Sequence, residues 1–176
     1  GILLARYSKE LKAAGLKKLN ISIDTLDSQK FAHIAKFGKL DNVLAGIDAA
    51  CTEKFLIKLN VVMMKGLNDD EILDFVSFAR DKQIIVRFIE LMPMARNSIL
   101  SEDLYMSCEE IKERLTTLGH LRALSTKFGN GPAQYYKIEG TSSIIGLISP
   151  MSCKFCFRCN RLRLAADGVL KPCLIS

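Results

Sequence analysis

Strand-like and helix-like segments alternate along the first half of the sequence, and this alternation restricts the fold more than any other feature. The strand-like segments are rich in β-branched residues, and those between them repeat apolar residues with helical spacing. Strands that alternate with helices form βαβ units, whose strands lie parallel in one sheet. We therefore predict an α/β fold. The predicted strands are 18–24, 57–64 and 84–92, and the predicted helices between them are 28–36, 40–53 and 68–81.

Polar residues occupy every second position in two of these strands. Asn20, Ser22 and Asp24 have this spacing in the first strand, and Lys58 and Asn60 have it in the second. Successive side chains point to opposite faces of a strand, so one face of the sheet is polar. In a β/α barrel this face lines the lumen, which a closed barrel fills with apolar side chains. We predict an incomplete barrel with a ligand inside, and a one-sided α+β sheet with its polar face in water is the alternative.

The pattern changes after residue 92. A loop is predicted at 93–98, and strands are predicted at 133–138 and 143–148. The short connection between these two strands indicates an antiparallel hairpin, separate from the parallel unit. We place a domain boundary near residue 93. The predicted domains are 1–92, the C-terminal part of an incomplete β/α barrel, and 93–176, an antiparallel β extension that carries a cysteine-ligated cluster.

Two motifs predict where helices begin. Ser107 and Glu110 have the spacing of a capping box, in which each side chain accepts a hydrogen bond from the backbone of the other residue. Asn68 and Glu71 have the same spacing. We therefore predict one helix that begins at Ser107 and ends near Gly119, and another that begins at Asn68.

Four of the six cysteines lie close together near the end of the sequence. Cys153, Cys156 and Cys159 follow a C-x2-C-x2-C spacing, and Cys173 lies 14 positions further on. Thiolates this close together suit a soft metal centre. Iron–sulfur clusters use such a run with a distant cysteine, whereas a four-cysteine zinc site usually pairs two C-x2-C motifs. The spacing favours an iron–sulfur cluster, and a zinc site is the alternative.

Two arginines lie between the third and fourth of these cysteines. If 160–165 and 169–173 pair around a three-residue loop with Gly168 in a left-handed conformation, residue 161 faces residue 173. Arg161, Arg163 and Cys173 then share one face of the hairpin. Guanidinium groups bind phosphate oxygens through paired hydrogen bonds, so this face suits a phosphate ligand beside the cysteines. A two-residue loop would place Cys173 on the opposite face.

Composition narrows the class of protein. The 25 Lys and Arg residues exceed the 19 Asp and Glu residues by 6, which admits an anionic partner without distinguishing nucleotides from nucleic acids. No apolar run approaches the ~20 residues of a membrane-spanning helix, so we expect no membrane partner. Six cysteines are too few for a disulfide-stabilised secreted domain, which favours the reducing cytoplasm. Cys51 and Cys108, each alone on a predicted helix, are interpreted as packing residues.

Four motifs follow one another along nearly the whole chain: LNISIDTL at 19–26, KLNVVMMKGLNDD at 58–70, RFIELMP at 87–93 and FCxxCNRLRLxxDGxLxxCL at 155–174. Together they resemble the GTP 3′,8-cyclase family, radical S-adenosylmethionine enzymes of molybdenum cofactor biosynthesis. The last motif is highly specific. The resemblance implies an incomplete β/α barrel with a second, auxiliary 4Fe–4S cluster in a C-terminal extension.

The resemblance also implies roles for single residues. Three cysteines would ligate the auxiliary 4Fe–4S cluster, whose open iron contacts the guanine of GTP, and Cys153 would not be a ligand. The implied cluster ligands are Cys156, Cys159 and Cys173. The implied GTP-binding residues are Lys58, Arg161 and Arg163. The residues implied to contact S-adenosylmethionine are Ser22 and Met92.

The first 4Fe–4S cluster of that family requires a C-x3-C-x2-C loop, a spacing that this sequence does not contain. The family uses this cluster and S-adenosylmethionine for the radical conversion of GTP to (8S)-3′,8-cyclo-7,8-dihydroguanosine 5′-triphosphate. We therefore expect both ends of the chain to be cut, the first cluster to come from a missing N-terminal part, and this chain to be inactive alone. Exposed sheet edges lead us to expect association as a homodimer.

Two other functions fit parts of the sequence. One is another radical S-adenosylmethionine enzyme with an auxiliary cluster that acts on a peptide or sugar, but Arg161 and Arg163 suit a polyphosphate. The other is a zinc-stapled nucleic-acid-binding module, which needs basic patches with exposed aromatic residues. Only 135–136 and 155–157 offer such aromatics. We therefore expect GTP and S-adenosylmethionine, rather than nucleic acid, as partners.

Overall fold

The computed structural model describes residues 1–92, 102–126, 128–129, 131–156, 159 and 161–173. The loop predicted at 93–98 lies outside them. The α-helices are α1 Leu4–Ala13, α2 Ser28–Ala35, α3 Leu40–Thr52, α4 Ile72–Asp81 and α5 Cys108–Leu115, with 3-10 turns at Asp69–Glu71, Glu102–Leu104 and Thr116–Leu118. The strands are β1 Lys18–Ser22, β2 Leu56–Met63, β3 Ile85–Glu90, β4 Leu121–Leu124, β5 Gln134–Ile138, β6 Ile144–Ile148, β7 Arg163–Leu164 and β8 Leu170–Lys171.

Six strands form one mixed sheet in the order β1-β2-β3-β6-β5-β4, and β7 and β8 form a separate two-stranded sheet. The pairs β1–β2, β2–β3 and β3–β6 are parallel, whereas β6–β5 and β5–β4 are antiparallel. The α/β fold with a mostly parallel sheet, predicted from the alternation of strands and helices, is therefore confirmed.

The hairpin of β5 and β6 forms as predicted, but the prediction that it is separate from the parallel unit is wrong. Strand β6 pairs with β3 in parallel from Val86↔Ile145 to Ile89↔Ile148, so the hairpin extends the same sheet. The backbone of β6 pairs with the β3 edge, which would otherwise present unpaired N–H and C=O groups. Strand β4, a short strand with two exposed residues, was not predicted from the sequence.

Helices cover one face of the sheet and form the core there. In α3 the apolar residues Val43, Ile47 and Ala50 recur with helical spacing, and all three are buried. They belong to the same apolar cluster as Leu59 of β2 and Phe75 of α4, both of which are fully buried. Fully burying an apolar side chain of this size contributes about 1.5–3 kcal/mol, so packing on this face stabilises the fold.

The predicted capping box at Asn68 and Glu71 is wrong, because both side chains bond to distant parts of the chain. Glu71 accepts hydrogen bonds from Thr25 Oγ1 at 2.7 Å and from the Leu26 amide at 2.6 Å. Asn68 accepts one from the Met64 amide and donates to two backbone carbonyls. Buried polar groups need such partners, and these fasten the end of β1 to the start of α4.

The predicted capping box at Ser107 and Glu110 is confirmed. Glu110 accepts a hydrogen bond from the Ser107 amide at 2.9 Å, and Ser107 Oγ accepts one from the Glu110 amide at 3.2 Å. In the described part of the chain, no helix combines the length and the apolar character needed to cross a membrane.

Candidate functional site

Polar residues from neighbouring strands meet on the sheet face opposite the helices. The strand register aligns Ser22 of β1, Asn60 of β2, Arg87 of β3 and Gly146 of β6 in one row. Cross-strand partners point to the same face, so these residues share one side of the sheet. The polar face predicted from the period-two pattern is therefore confirmed, and it extends one strand further than predicted.

Arg87 lies at the centre of this face and was missed by the sequence analysis. The residue is 7% exposed, and its guanidinium donates to Asn60 Oδ1 at 2.8 Å and to Asn20 Oδ1 at 2.9 Å. No carboxylate of the described residues forms an ion pair with it. Arg87 thus holds a buried positive charge that amide oxygens orient but do not neutralise. The detectable signal was a single charged residue within the otherwise apolar run that precedes Glu90.

Lys58 adds a second buried cation to the same face. The residue is 5% exposed, and its ammonium donates to the Phe128 carbonyl. Burial lowers the pKa of Lys58, and the nearby charges of Arg87 and Lys18 lower it further. Like charges this close to each other are unfavourable without a counterion, so the face is electrostatically suited to an anion.

A glycine-containing loop between β4 and β5 lies close to both Lys58 and the cysteine segment. We use the term cysteine segment for residues 149–173. A β-carbon at Gly129 would lie 3.1 Å from Lys58 Nζ, and a β-carbon at Gly131 would lie 3.1 Å from Arg161 Nη2. Glycine lets the backbone approach both cations closely. The loop therefore brings Lys58 and Arg161, which are far apart in sequence, to neighbouring positions.

The cysteine segment exposes its thiols. Cys153, Cys156, Cys159 and Cys173 are all exposed, and the Cys159 amide donates to the Cys156 carbonyl at 3.1 Å, which places these two in one turn. Exposed thiols are the donors that iron and zinc prefer, so the donor chemistry fits such a centre. The structure does not gather Cys156, Cys159 and Cys173 into a ligand set, because no three potential ligands among the described residues lie close enough to hold a metal ion.

The two remaining cysteines belong to the protein interior. Cys108 is buried in the core, and burial raises its pKa to about 12. Cys51 packs against the core from α3, and burial raises its pKa as well. Neither thiol ionises readily, which agrees with their interpretation as packing residues.

The register predicted for the hairpin that ends at Cys173 is confirmed where its strands pair. Arg163 lies opposite Lys171, and Gly168 has the left-handed φ of 84° that the three-residue loop requires. Continued by two residues, this register sets Arg161 opposite Cys173. Both arginines are exposed. The hairpin therefore carries two guanidinium groups on the face assigned to Cys173.

Ser22 and Met92 lie where parallel strands end. Ser22 is the last residue of β1 and is exposed, and Met92 follows the end of β3 by two residues and is partly buried. The carboxyl ends of parallel strands lie at the same edge of a sheet. The structure thus puts both residues at one edge, next to the polar face.

Comparison with known families accounts for both halves of this site. The family model described as Molybdenum Cofactor Synthesis C matches residues 84–176, more than half of the chain. The chain belongs to the Molybdenum Cofactor Synthesis C family. Residues 1–79 match the model described as Radical SAM superfamily. The resemblance derived from the sequence motifs is therefore confirmed.

Three relatives of this Molybdenum Cofactor Synthesis C member carry the name GTP 3′,8-cyclase. The protein from Peptoclostridium acidaminophilum is 48% identical over 100% of this chain and 54% of its own length. Those from Thermodesulfovibrio yellowstonii and Moorella thermoacetica are each 45% identical, over 100% and 99% of this chain and 55% and 54% of their own length. The chain thus spans about half the length of the curated relatives it matches.

The two matched regions meet at the polar face. Asn20 and Lys58 lie in the part similar to the Radical SAM superfamily, whereas Arg87 and Arg161 lie in the Molybdenum Cofactor Synthesis C part. Arg87 bonds to Asn20 across this division. The candidate site is therefore shared between the two regions.

Proposed function

We propose that this chain is the part of a GTP 3′,8-cyclase that holds the substrate GTP and an auxiliary 4Fe–4S cluster. The observation that carries the proposal is the pair of buried cations, Lys58 and Arg87, on a sheet face where they form no ion pair with a described carboxylate. Buried charge without a counterion in the protein favours an anionic ligand. The name shared by the relatives supports GTP as that ligand.

In this proposal the basic residues bind the triphosphate. Lys58 acts as a point charge, whereas Arg161 and Arg163 bind phosphate oxygens through paired hydrogen bonds. Arg87 is already oriented by Asn20 and Asn60, so its guanidinium needs little reorganisation when an anion arrives. Fixing the triphosphate at several points orients the nucleotide and brings ribose C3′ and guanine C8 into reach of each other.

Cys156, Cys159 and Cys173 would hold the auxiliary cluster, and Cys153 would not be a ligand. Their exposure and thiol chemistry fit a cluster with three protein ligands. When bound, this cluster would supply an iron without a protein ligand that can accept a donor atom of the guanine base. The protein's contribution is to present these thiols beside Arg161 on the hairpin.

Ser22 and Met92 would contact S-adenosylmethionine at the carboxyl edge of the sheet. Ligands of open parallel sheets bind at this edge, which supports the assignment. The sequence contains no C-x3-C-x2-C spacing, so reduction of S-adenosylmethionine is not assigned to these residues. We assign it to another 4Fe–4S cluster in a further part of the whole protein, and expect this chain alone to be inactive.

The proposal includes the finer architecture. The parallel strands would form part of an incomplete β/α barrel in 1–92, and 93–176 would form the antiparallel extension. We further propose a cytoplasmic protein that associates as a homodimer, since β1 and β4 end the sheet as unpaired edges within the described residues.

The test begins with anaerobic reconstitution, assay of iron, sulfide and zinc, and measurement of GTP affinity. We expect about four iron and four sulfide per chain, and a large loss of both in Cys159→Ala. Lys58→Met and Arg161→Ala should each weaken GTP binding about tenfold or more. Arg80→Ala is the matched control, because Arg80 is an exposed arginine on α4 that pairs only with Asp81 among the described residues.

Each measurement has an outcome that contradicts the proposal. One zinc per chain without sulfide would identify a structural zinc site. Equal GTP affinity in Arg161→Ala, Lys58→Met and Arg80→Ala would show that the basic face does not bind the nucleotide.

A further inference from the structure

Glu90, the last residue of β3, is a buried carboxylate that accepts hydrogen bonds from three backbone amides and the Ser152 hydroxyl, and the Tyr105 hydroxyl and the Cys108 thiol also lie within hydrogen-bonding reach of it. Glu90 is 1% exposed. One oxygen accepts from the Cys108 amide at 2.8 Å and from Ser152 Oγ, and the other accepts from the amides of Met151 and Ser152, both at 2.9 Å. No described lysine, arginine or histidine pairs with it. Its charge is therefore balanced by hydrogen-bond donors alone.

The donors come from two segments that are distant in sequence. Cys108 opens α5, whereas Met151 and Ser152 form the turn that leaves β6. This turn is itself closed by a hydrogen bond from the Cys153 amide to the Ser149 carbonyl at 3.3 Å. Glu90 thus fastens the first residues of the cysteine segment to the carboxyl end of β3.

The geometry around Glu90 sets where the cysteine segment starts. Glu90 and Arg87 point to opposite faces of the sheet, because they are three residues apart in one strand. The segment begins on the helix side at Glu90 and reaches the polar side at Arg161, beside Gly131. The segment therefore passes from one face of the sheet to the other at the carboxyl ends of the strands. Glu90 binds the turn with which this passage begins.

Ionisation of Glu90 is compatible with this role. Burial raises the pKa of its carboxyl group, but the hydrogen bonds from Ser152, Cys108 and Met151 outweigh burial, and the pKa lies below its usual value. A carboxylate accepts at both oxygens and carries no proton that would face these donors. An amide of the same shape would offer one acceptor and turn an NH2 group toward two backbone amides.

We propose that Glu90 is the positioning residue of the cysteine segment, holding its first turn so that Cys156 and Cys159 are presented beside the basic face. Anchoring of the turn follows from the structure alone. Only its consequence for cluster retention rests on the proposed function.

The first test is hydrogen–deuterium exchange of the metal-free protein under anaerobic conditions. In Glu90→Gln, exchange at the amides of Met151, Ser152 and Cys153 should rise about tenfold or more, because charge-assisted hydrogen bonds that hold this turn are lost. Ser152→Ala removes a single donor and should produce a smaller rise at the same amides. Glu90→Asp keeps both acceptor oxygens and should restore part of the protection.

Glu71→Gln is the matched control. Glu71 is also a buried carboxylate, 6% exposed, that accepts from a backbone amide and a hydroxyl, and it also accepts from Lys30 Nζ at 3.2 Å. Its partners Leu26 and Thr25 lie in the loop after β1, and Lys30 lies in α2. Exchange should then rise at Leu26 and stay unchanged at Met151 and Ser152. This contrast separates a local anchor from general loss of stability.

The second test measures how fast a chelator removes iron from reconstituted protein. Glu90→Gln should lose iron about tenfold faster than the wild type, whereas Glu71→Gln should not. Unchanged exchange at Met151 and Ser152 in both Glu90→Gln and Ser152→Ala, or an equal rise there in Glu71→Gln, would overturn the proposed anchor. If exchange changes as expected but the wild type binds no iron, the anchor stands and the proposed function fails.

Discussion

Gly146 and Arg87 are paired on adjacent strands so closely that residue 146 has no room for a side chain. A β-carbon at Gly146 would lie 2.8 Å from Arg87 Cγ and 3.1 Å from Cε1 of the Tyr135 ring. The stem of Arg87 therefore runs over β6 at this glycine before its guanidinium turns back to Asn60 and Asn20. The absence of a side chain at position 146 is what allows a buried arginine at the centre of the polar face.

Substitution of Gly146 by alanine should displace Arg87. The clash involves the first part of the arginine stem and an aromatic ring, neither of which can move freely, so we expect a loss of about 1–3 kcal/mol in the free energy of unfolding. Urea unfolding followed by circular dichroism measures this loss. If the proposed function is right, the affinity for GTP should fall as well, because the guanidinium leaves its position.

Ser143→Ala on the same hairpin is the control for Gly146→Ala. Ser143 Oγ is buried and has no hydrogen-bond partner within the described residues. Removing a buried, unsatisfied hydroxyl should leave stability unchanged or raise it slightly. Equal stability of Gly146→Ala and the wild type would mean that the contact with Arg87 relaxes without cost.

Asn68→Ala should be one of the more destabilising polar substitutions in the chain. The Asn68 amide group bonds to the Met64 amide and to the carbonyls of Asp24 and Val62, and it is completely buried. Alanine removes all three of these hydrogen bonds, at a cost of about 1–3 kcal/mol for each backbone group that is then left without a partner. Urea unfolding should show a total loss of more than about 2 kcal/mol. Asn42→Ala, at an exposed position of α3, should change stability by less than about 0.5 kcal/mol.

The example of Asn68 shows what sequence reasoning could reach and what it could not. Local spacing predicted the elements well, since β-branched runs and helical periodicity depend on neighbours in sequence. The same local reasoning assigned Asn68 and Glu71 to a capping box, although both side chains bond to residues in the loop after β1. A side chain that bonds across the fold cannot be distinguished from a cap by spacing alone.

The candidate site divides in the same way. The polar face could be predicted, because period two fixes which residues of a strand share a face. Arg87 and Glu90 were missed as site residues, because their roles depend on which strands become neighbours. The pairing of β3 with β6 cannot be predicted from the sequence of either strand alone. The hairpin at Gly168 could be predicted in register, since a three-residue loop with a left-handed glycine determines the pairing on both sides.

Asp24→Asn should stabilise the protein at neutral pH. Burial raises the pKa of Asp24, although a hydrogen bond from the Val62 amide opposes this shift. A carboxyl group with a raised pKa in the folded state stabilises the fold below its unfolded pKa, near 3.8, and this contribution is lost as the pH rises through the folded pKa. Asparagine keeps the acceptor for Val62 without the charge. The urea midpoint of the variant should exceed that of the wild type at pH 7, and the difference should shrink at pH 3.

Asp41→Asn is the control for this pH dependence. Asp41 is exposed in the first turn of α3, where a negative charge interacts favourably with the helix dipole. Its replacement should lower stability slightly at pH 7, whereas Asp24→Asn should raise it. A lower midpoint for Asp24→Asn at pH 7 would contradict the assignment of burial as the dominant influence on Asp24.

Glu110→Gln should destabilise the protein only where Glu110 is ionised. A hydrogen bond from Lys65, followed by those from Ser107, lowers the pKa of Glu110 to about 2. A carboxyl group whose pKa is lowered in the folded state stabilises the fold at pH values above its unfolded pKa, near 4.5. This stabilisation is lost as the pH falls toward 2. The pair is partly exposed, so we expect a loss below about 1 kcal/mol at pH 7. Urea unfolding at pH 7 and pH 3 should show this loss shrinking at the lower pH. Glu109→Gln, at a neighbouring carboxylate that bonds to Lys112 but not to the cap residue, should lose less at pH 7, and an equal loss would contradict the role given to the capping box.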